Sequence, residues 1–209
     1  YLLLSKDQGE RIGSVVLMGM GEPLDNYDNV LAALEILTSP WGMAWSPTRI
    51  TLSTAGITPR LEQLIEATKV HIAVSLHNPF HDQRAEIMPV EKAYPIRELT
   101  DMLRRHDFSG QRRLSFEYIL MEGLNDTAAH IRELRRLLNG LNCRINIIRF
   151  HRIPDSPYFS PPRQKMEAFR DRLTAGGIHT TIRASRGEDI QAACGLLSTA
   201  EAMRRAEQR

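Results

Sequence analysis

The stretch VVLMGMGEPLDNYDNV, residues 15–30, holds three kinds of sequence in a row. A short β-branched, apolar run comes first. A turn of two glycines, a glutamate and a proline follows. The chain then enters a segment where Val30, Leu31, Leu34 and Leu37 recur at helical spacing. The succession predicts a buried strand, a polar turn and an amphipathic helix capped by Asp28.

The same order returns along the chain. SVVLM (14–18), RITLS (49–53), VHIAVSL (70–76), RLSFEYIL (113–120), RINIIRF (144–150) and HTTIR (179–183) read as strands. Helical stripes lie between them. Thr58 is placed to cap a helix with Pro59 at its first position, followed by Leu61, Leu64 and Ile65. Leu99, Met102 and Leu103 mark a helix over 96–106. Ile131, Leu134 and Leu138 mark one over 127–138. Met166, Phe169 and Leu173 mark one from Arg163 to Thr174, stopped by Gly176 and Gly177. This alternation implies a parallel sheet with right-handed crossovers, either open or curled into a barrel.

In both arrangements ligands gather beyond the carboxyl ends of the strands. The unusual residues fall there: GMGEPLDN after the first strand, STAG after the second, SLHNP after the third, His151 after the fifth and RGEDIQAACG after the sixth.

Composition sets few limits. With 209 residues the chain can bury about 70% of its unfolded surface. Its 42% apolar and 25% charged content is that of a globular protein. Twenty-seven basic residues against 25 acidic ones permit a nucleic-acid partner without demanding one. Basic character would have to be local, at the pairs Arg104–Arg105, Arg112–Arg113, Arg135–Arg136 and Arg204–Arg205, and such pairs are usually solvated helix faces. Two cysteines, Cys143 and Cys194, make neither a disulfide framework nor a zinc site. No apolar run reaches the 18 residues of a membrane span. YLLLSKDQGE (1–10) reads as the last turns of a helix that begins upstream, so one domain, the C-terminal part of a longer core, is expected over 1–209.

Among the rim residues, Gly21 lets backbone N–H groups approach a ligand, and Glu22 beside it favours a cationic group over a phosphate. Ser53 and Ser75 offer hydroxyls. His77 offers a ring nitrogen but has no second ligand at metal spacing. Either Glu117 or Tyr118 must face inward from its strand, where a carboxylate needs a partner. Cys143 reads as a small buried cysteine. Cys194 has small neighbours, lies at the rim and is close in sequence to Arg183 and Arg186, the setting a reactive thiol requires.

Together, VVLMGMGEPLDNYDNV (15–30), RITLSTAGITP (49–59), VSLHNPFHDQRAEIMPVEKAYPI (74–96), FEYILMEGLND (116–126), RINII (144–148) and RGEDIQAACG (186–195) resemble the radical S-adenosylmethionine (SAM) RNA methyltransferases of the RlmN/Cfr family. The resemblance covers nearly the whole chain in the family's order. It implies a partial (β/α) barrel, mostly parallel, with the first strand and cluster loop missing. It implies that Gly21 and Glu22 meet the methionine end of SAM, and that Ser53 and the Ser75-Leu76-His77 turn add contacts. Cys194 matches the cysteine that becomes S-methylated. In the family's reaction, a radical made from a second SAM takes a hydrogen from that methyl group. The resulting methylene radical then adds to an adenine ring carbon of 23S rRNA.

Two departures accompany the resemblance. The 4Fe–4S motif C-x3-C-x2-C, a second catalytic cysteine and a general base are absent, which places them upstream. The chain alone is therefore expected to hold no metal and to turn over nothing. In addition, His151 stands where the family has an asparagine near SAM.

The reading implied is a cytoplasmic, monomeric enzyme that methylates adenine carbon-2 in 23S rRNA and uses a cellular reductant, with transfer RNA left open as a second substrate. The alternatives are carbon-8 methylation, a cluster-free barrel enzyme acting on a phosphorylated metabolite, and a non-catalytic RNA-binding module.

Overall fold

In the computed structural model, residues 13–108, 112–151 and 156–183 are described. Six strands form one sheet: β1 Val15–Leu17, β2 Ile50–Thr54, β3 His71–Ser75, β4 Leu114–Leu120, β5 Arg144–Arg149 and β6 His179–Ile182. Every neighbouring pair is parallel, and the spatial order is the chain order. Each crossover thus moves to the adjacent strand in one direction. Among the described residues the sheet has no reversal point of the doubly wound kind.

The helices are α1 Tyr27–Thr38, α2 Thr58–Ala67, α3 His81–Ile87, α4 Ile96–Leu103, α5 Ala128–Leu137 and α6 Arg163–Ala175. Alternation along the strands sends Ile50, Leu52, Ile72, Val74, Phe116, Tyr118, Ile145 and Ile147 into the core with helix residues such as Leu61, Leu64, Leu99, Leu134 and Phe169. Tyr118 stacks on Phe169 with ring centroids 5.8 Å apart, and its hydroxyl donates to the Asn125 carbonyl at 2.7 Å.

The residues between these on each strand form the opposite, polar face. Ser75, Glu117, Asn146 and Thr181 occupy one register row across four strands. Thr181 Oγ1 donates to Asn146 Oδ1 at 2.9 Å, and Asn146 Nδ2 donates to Glu117 Oε1 at 2.7 Å. Past the end of β6, the Arg183 guanidinium reaches Glu117 Oε2 at 3.4 Å and Met18 Sδ, just past β1, at 3.3 Å. That contact joins the two outer strands' ends, so the sheet curls as a partial barrel with the polar row inside.

Three local expectations are corrected. Asp28 does not cap α1. A 3-10 turn, Pro23–Asn26, feeds directly into the helix, and the Glu22 side chain caps that turn. Thr58 is the first residue of α2 rather than its cap. Ile57 holds the cap position, and the Thr58 hydroxyl turns back to the Gly56 carbonyl. Finally, α3 and the 3-10 turn Pro89–Lys92 lie where no helical stripe was visible. Their buried side chains are Arg84 and Glu91 rather than aliphatics.

Candidate functional site

A cavity of about 230 Å³ opens at the carboxyl end of the strands. Its lining includes Gly21, Ser53, Ser75, His77 and Glu117, with Met18 and Ile148 as apolar walls. Gly21, Ser53, Ser75 and His77, the ligand contacts expected from sequence, thus meet in one place although the first and last lie 56 residues apart in the chain.

Glu22 is not itself among the lining residues, but it lies between Gly21 and Pro23, which are, and its carboxylate is fixed by the backbone. Oε1 accepts from Leu24 N at 3.0 Å, and Oε2 accepts from Ala55 N at 2.6 Å, which ties the first rim turn to the second. A carboxylate oxygen can accept twice, so both retain capacity for a ligand cation. Gly19 and Gly21 have φ of +110° and +73°, and a Cβ built on either meets nothing within 4 Å. Glycine is needed there for backbone conformation, and the space beside it stays open.

His77 adopts φ +54°, unusual for a residue with a side chain. Its surroundings hold it there. Its N–H donates to the Glu117 carbonyl, its Nδ1 accepts from Ile119 N at 3.1 Å, and its carbonyl accepts from Asn125 Nδ2 at 2.7 Å. Because Nδ1 accepts, the proton of the neutral ring sits on Nε2, which makes that nitrogen a donor. Burial, reinforced by the Arg84 charge, pushes the ring's pKa down to about 4, so the imidazole is neutral near pH 7.

Leu76 is different. Its side chain is buried in the core, its N–H donates to the Glu117 carbonyl, and its carbonyl accepts from Arg84 Nε. Leu76 therefore shapes the turn from behind. His151 lies just past β5 and is not among the cavity's lining residues. Cys194 lies outside the described residues.

Behind the rim sits an ion pair that the sequence did not reveal. Arg84 and Glu91 are both fully buried. The guanidinium pairs with Glu91 through Nη1 and donates to the carbonyls of Leu76 (2.9 Å), Ser75 (2.8 Å) and Ala55 (3.0 Å). Glu91 also accepts from Ile96 N and from His81 Nδ1. One charged side chain thus holds the ends of β2 and β3 in register. Asn125 does the same for β4, accepting from Met121 N and donating to the Ile119 and His77 carbonyls.

Cys143 lies at the other end of the barrel, just before β5. Burial pushes its thiol up to about 12. It is an inert, protonated thiol at neutral pH.

Over 192 residues the chain is 55% identical to the "Probable dual-specificity RNA methyltransferase RlmN" of Bacteroides fragilis, which covers 92% of this chain and 56% of that protein. Over 200 residues it is 54% identical to the protein of the same description from Porphyromonas gingivalis, at 96% and 58%. The chain spans a little over half the length of these curated relatives. A crystal structure of a radical SAM methyltransferase from Sphaerobacter thermophilus superposes with a TM-score of 0.86 at 41% identity, over 93% of this chain and 57% of that one. The family profile described as the Radical SAM superfamily matches residues 4–138. With that match over more than half of its length, and with the curled parallel sheet the profile implies, the chain belongs to the Radical SAM superfamily.

Proposed function

We propose that the rim cavity is the SAM pocket of an enzyme that methylates carbon-2 of an adenine in 23S rRNA, with transfer RNA a second substrate of the same chemistry. The observation that carries this reading is the convergence of Gly21, Ser53, Ser75 and His77 on one cavity beside the tethered Glu22 carboxylate. The names of the relatives, which describe dual-specificity RNA methyltransferases, support the choice of substrate.

The residues present fit SAM. Glu22 supplies an anion for the ammonium group, and its fixed oxygens need no rearrangement to receive it. Ser53, Ser75 and the neutral His77 ring supply hydrogen-bond partners for the hydroxyls and heteroatoms of a nucleoside. The open space beside Gly19 and Gly21 admits close approach of the ligand to the backbone. When bound, SAM supplies both a transferable methyl group and a source of radical chemistry. Cys194 receives the methyl group as the covalent carrier, and His151 adds a polar contact from the end of β5. Superfamily members also use a 4Fe–4S cluster. No group of three His, Cys, Asp or Glu residues among those described could hold a metal ion. This reading therefore places the cluster's ligands outside the described residues. In the same reading the protein is cytoplasmic and monomeric, and it draws electrons from a cellular reductant.

Mass spectrometry of 23S rRNA tests the proposal. The full-length protein is expressed in cells lacking the modification, beside Cys194→Ala and Glu22→Ala variants. The expected result is 2-methyladenosine with the parent and none with either variant. An 8-methyladenosine product would reassign the target carbon, and unmodified RNA with the parent protein would overturn the reading.

A further inference from the structure

A second cavity, about 300 Å³, opens at the amino end of the same strands. Its lining includes Arg112, Arg113, Asn142, Arg144 and His179, and none of its lining residues is acidic. Leu114 of this cavity and Glu117 of the rim cavity stand three residues apart on β4, about 10 Å along the strand, and the two cavities share no lining residue. It is therefore distinct from the SAM pocket, and no part of the function proposed above uses it.

The arginine pairs of this protein differ in how they are neutralised. Arg104 pairs with Asp101, Arg105 with Glu62, and Arg136 with Glu133. Among the described residues, Arg112, Arg113 and Arg144 form no ion pair. Arg112 is buried at 8% exposure, and among the described residues its guanidinium makes one hydrogen bond, from Nη1 to the Ile65 carbonyl. Its Nε and Nη2, the edge that grips planar oxyanions in parallel, have no partner. Arg144 is partly buried beside Arg113. Burial, and then the Arg113 charge, lowers its pKa. The neighbouring His71 is lowered by burial and then by all three arginines. A buried unpaired charge is costly, and three cations around one cavity repel one another as well. An anion placed among them offsets both costs.

We infer that this cavity is an oxyanion site for a phosphate group, held by Arg113 and Arg144 over the buried charge of Arg112. Three guanidinium groups match the charge and multiple oxygens of a phosphate better than a single carboxylate. His179 and Asn142 at the mouth supply further donors. The chemistry is shared by a phosphodiester of bound RNA and by a free phosphate, and the test separates the two sources.

The full-length protein is compared with the double variant Arg113→Gln/Arg144→Gln, in which both changed side chains reach solvent. Arg113→Lys/Arg144→Lys is the charge-preserving control. In one arm, inorganic phosphate is titrated by calorimetry at constant ionic strength. In the other, binding of a substrate RNA fragment is measured against salt. Loss of two charge-assisted contacts predicts phosphate affinity at least about tenfold weaker in the Gln variant, with partial retention in the Lys variant. If RNA supplies the phosphate, the log–log salt slope also falls by about 1.5. Weakened phosphate binding with an unchanged slope identifies a free phosphate, and a reduced slope identifies RNA. Equal affinity and equal slope in parent and Gln variant, with both folded by circular dichroism, overturn the site. These readouts do not depend on methylation, so they stand or fall separately from the reaction proposed above.

Discussion

Glu22 Oε2 accepts the backbone N–H of Ala55 at 2.6 Å, while Oε1 of the same carboxylate accepts that of Leu24. One side chain therefore caps its own turn and anchors the next. A carboxylate suits this position because both of its oxygens are acceptors.

Replacing Glu22 by Gln keeps one acceptor and sets an amide NH₂ against the other N–H. The expected cost is about 1–2 kcal/mol of stability, from one lost bond and one donor left facing a donor. If the rim cavity is the SAM pocket proposed above, SAM affinity in the full-length protein should also fall by more than about tenfold, because that reading sets the Glu22 anion opposite the ammonium. Urea denaturation and calorimetric titration read the two effects separately.

The Arg84–Glu91 pair predicts a second asymmetry. Arg84→Met leaves a carboxylate buried without its cation and frees three rim carbonyls. The expected loss is about 3–5 kcal/mol. Arg84→Met combined with Glu91→Leu should be less damaging than the sum of the single changes. A double-mutant cycle measures this coupling, and purely additive losses would contradict the role assigned to the pair.

His77 gives a pH signature. Its folded-state pKa of about 4 lies below the ordinary 6.5. Between those values the unfolded chain binds a proton that the folded protein does not, so stability falls as pH drops from 6.5 toward 4 and is unaffected by this group above 6.5. Subtracting the stability–pH curve of His77→Gln from that of the parent should isolate this segment.

Cys143 should resist alkylation. With its thiol pushed up to about 12, the thiolate fraction at pH 8 is negligible. Iodoacetamide should label Cys143 only after denaturation, while Cys194 is expected to react in the native protein. Peptide mass mapping distinguishes the two.

The strands were legible because each is a short β-branched or aliphatic run bounded by turn residues, and the helices α1, α2, α4, α5 and α6 because aliphatics recur on one face. HDQRAEI was not legible as α3. Its buried face is an arginine, and hydrophobic periodicity is blind to a charge whose partner lies seven residues on. Capping failed at Asp28 because a 3-10 turn capped by Glu22 runs straight into α1, and at Thr58 because that residue lies inside α2 with its hydroxyl donating to the Gly56 carbonyl. The rim cavity was readable as a set of polar residues at strand ends. The clamps that hold its walls, Arg84 and Asn125, act through backbone carbonyls, and no spacing in the sequence marks such partners. Of the arginine pairs read as surface faces, Arg112–Arg113 proved to line a cavity, which required the strand register to see.

Because the sheet is laid down in chain order, a nascent polypeptide adds each strand to an edge already in place and never has to open a finished pair to admit a later one. Stability can accumulate stepwise during synthesis. The rim cavity draws Gly21 from one end of this series and Ile148 from near the other, so it closes only when the fifth strand docks. The walls of that cavity therefore cannot meet until Ile148 has left the ribosome and β5 has paired.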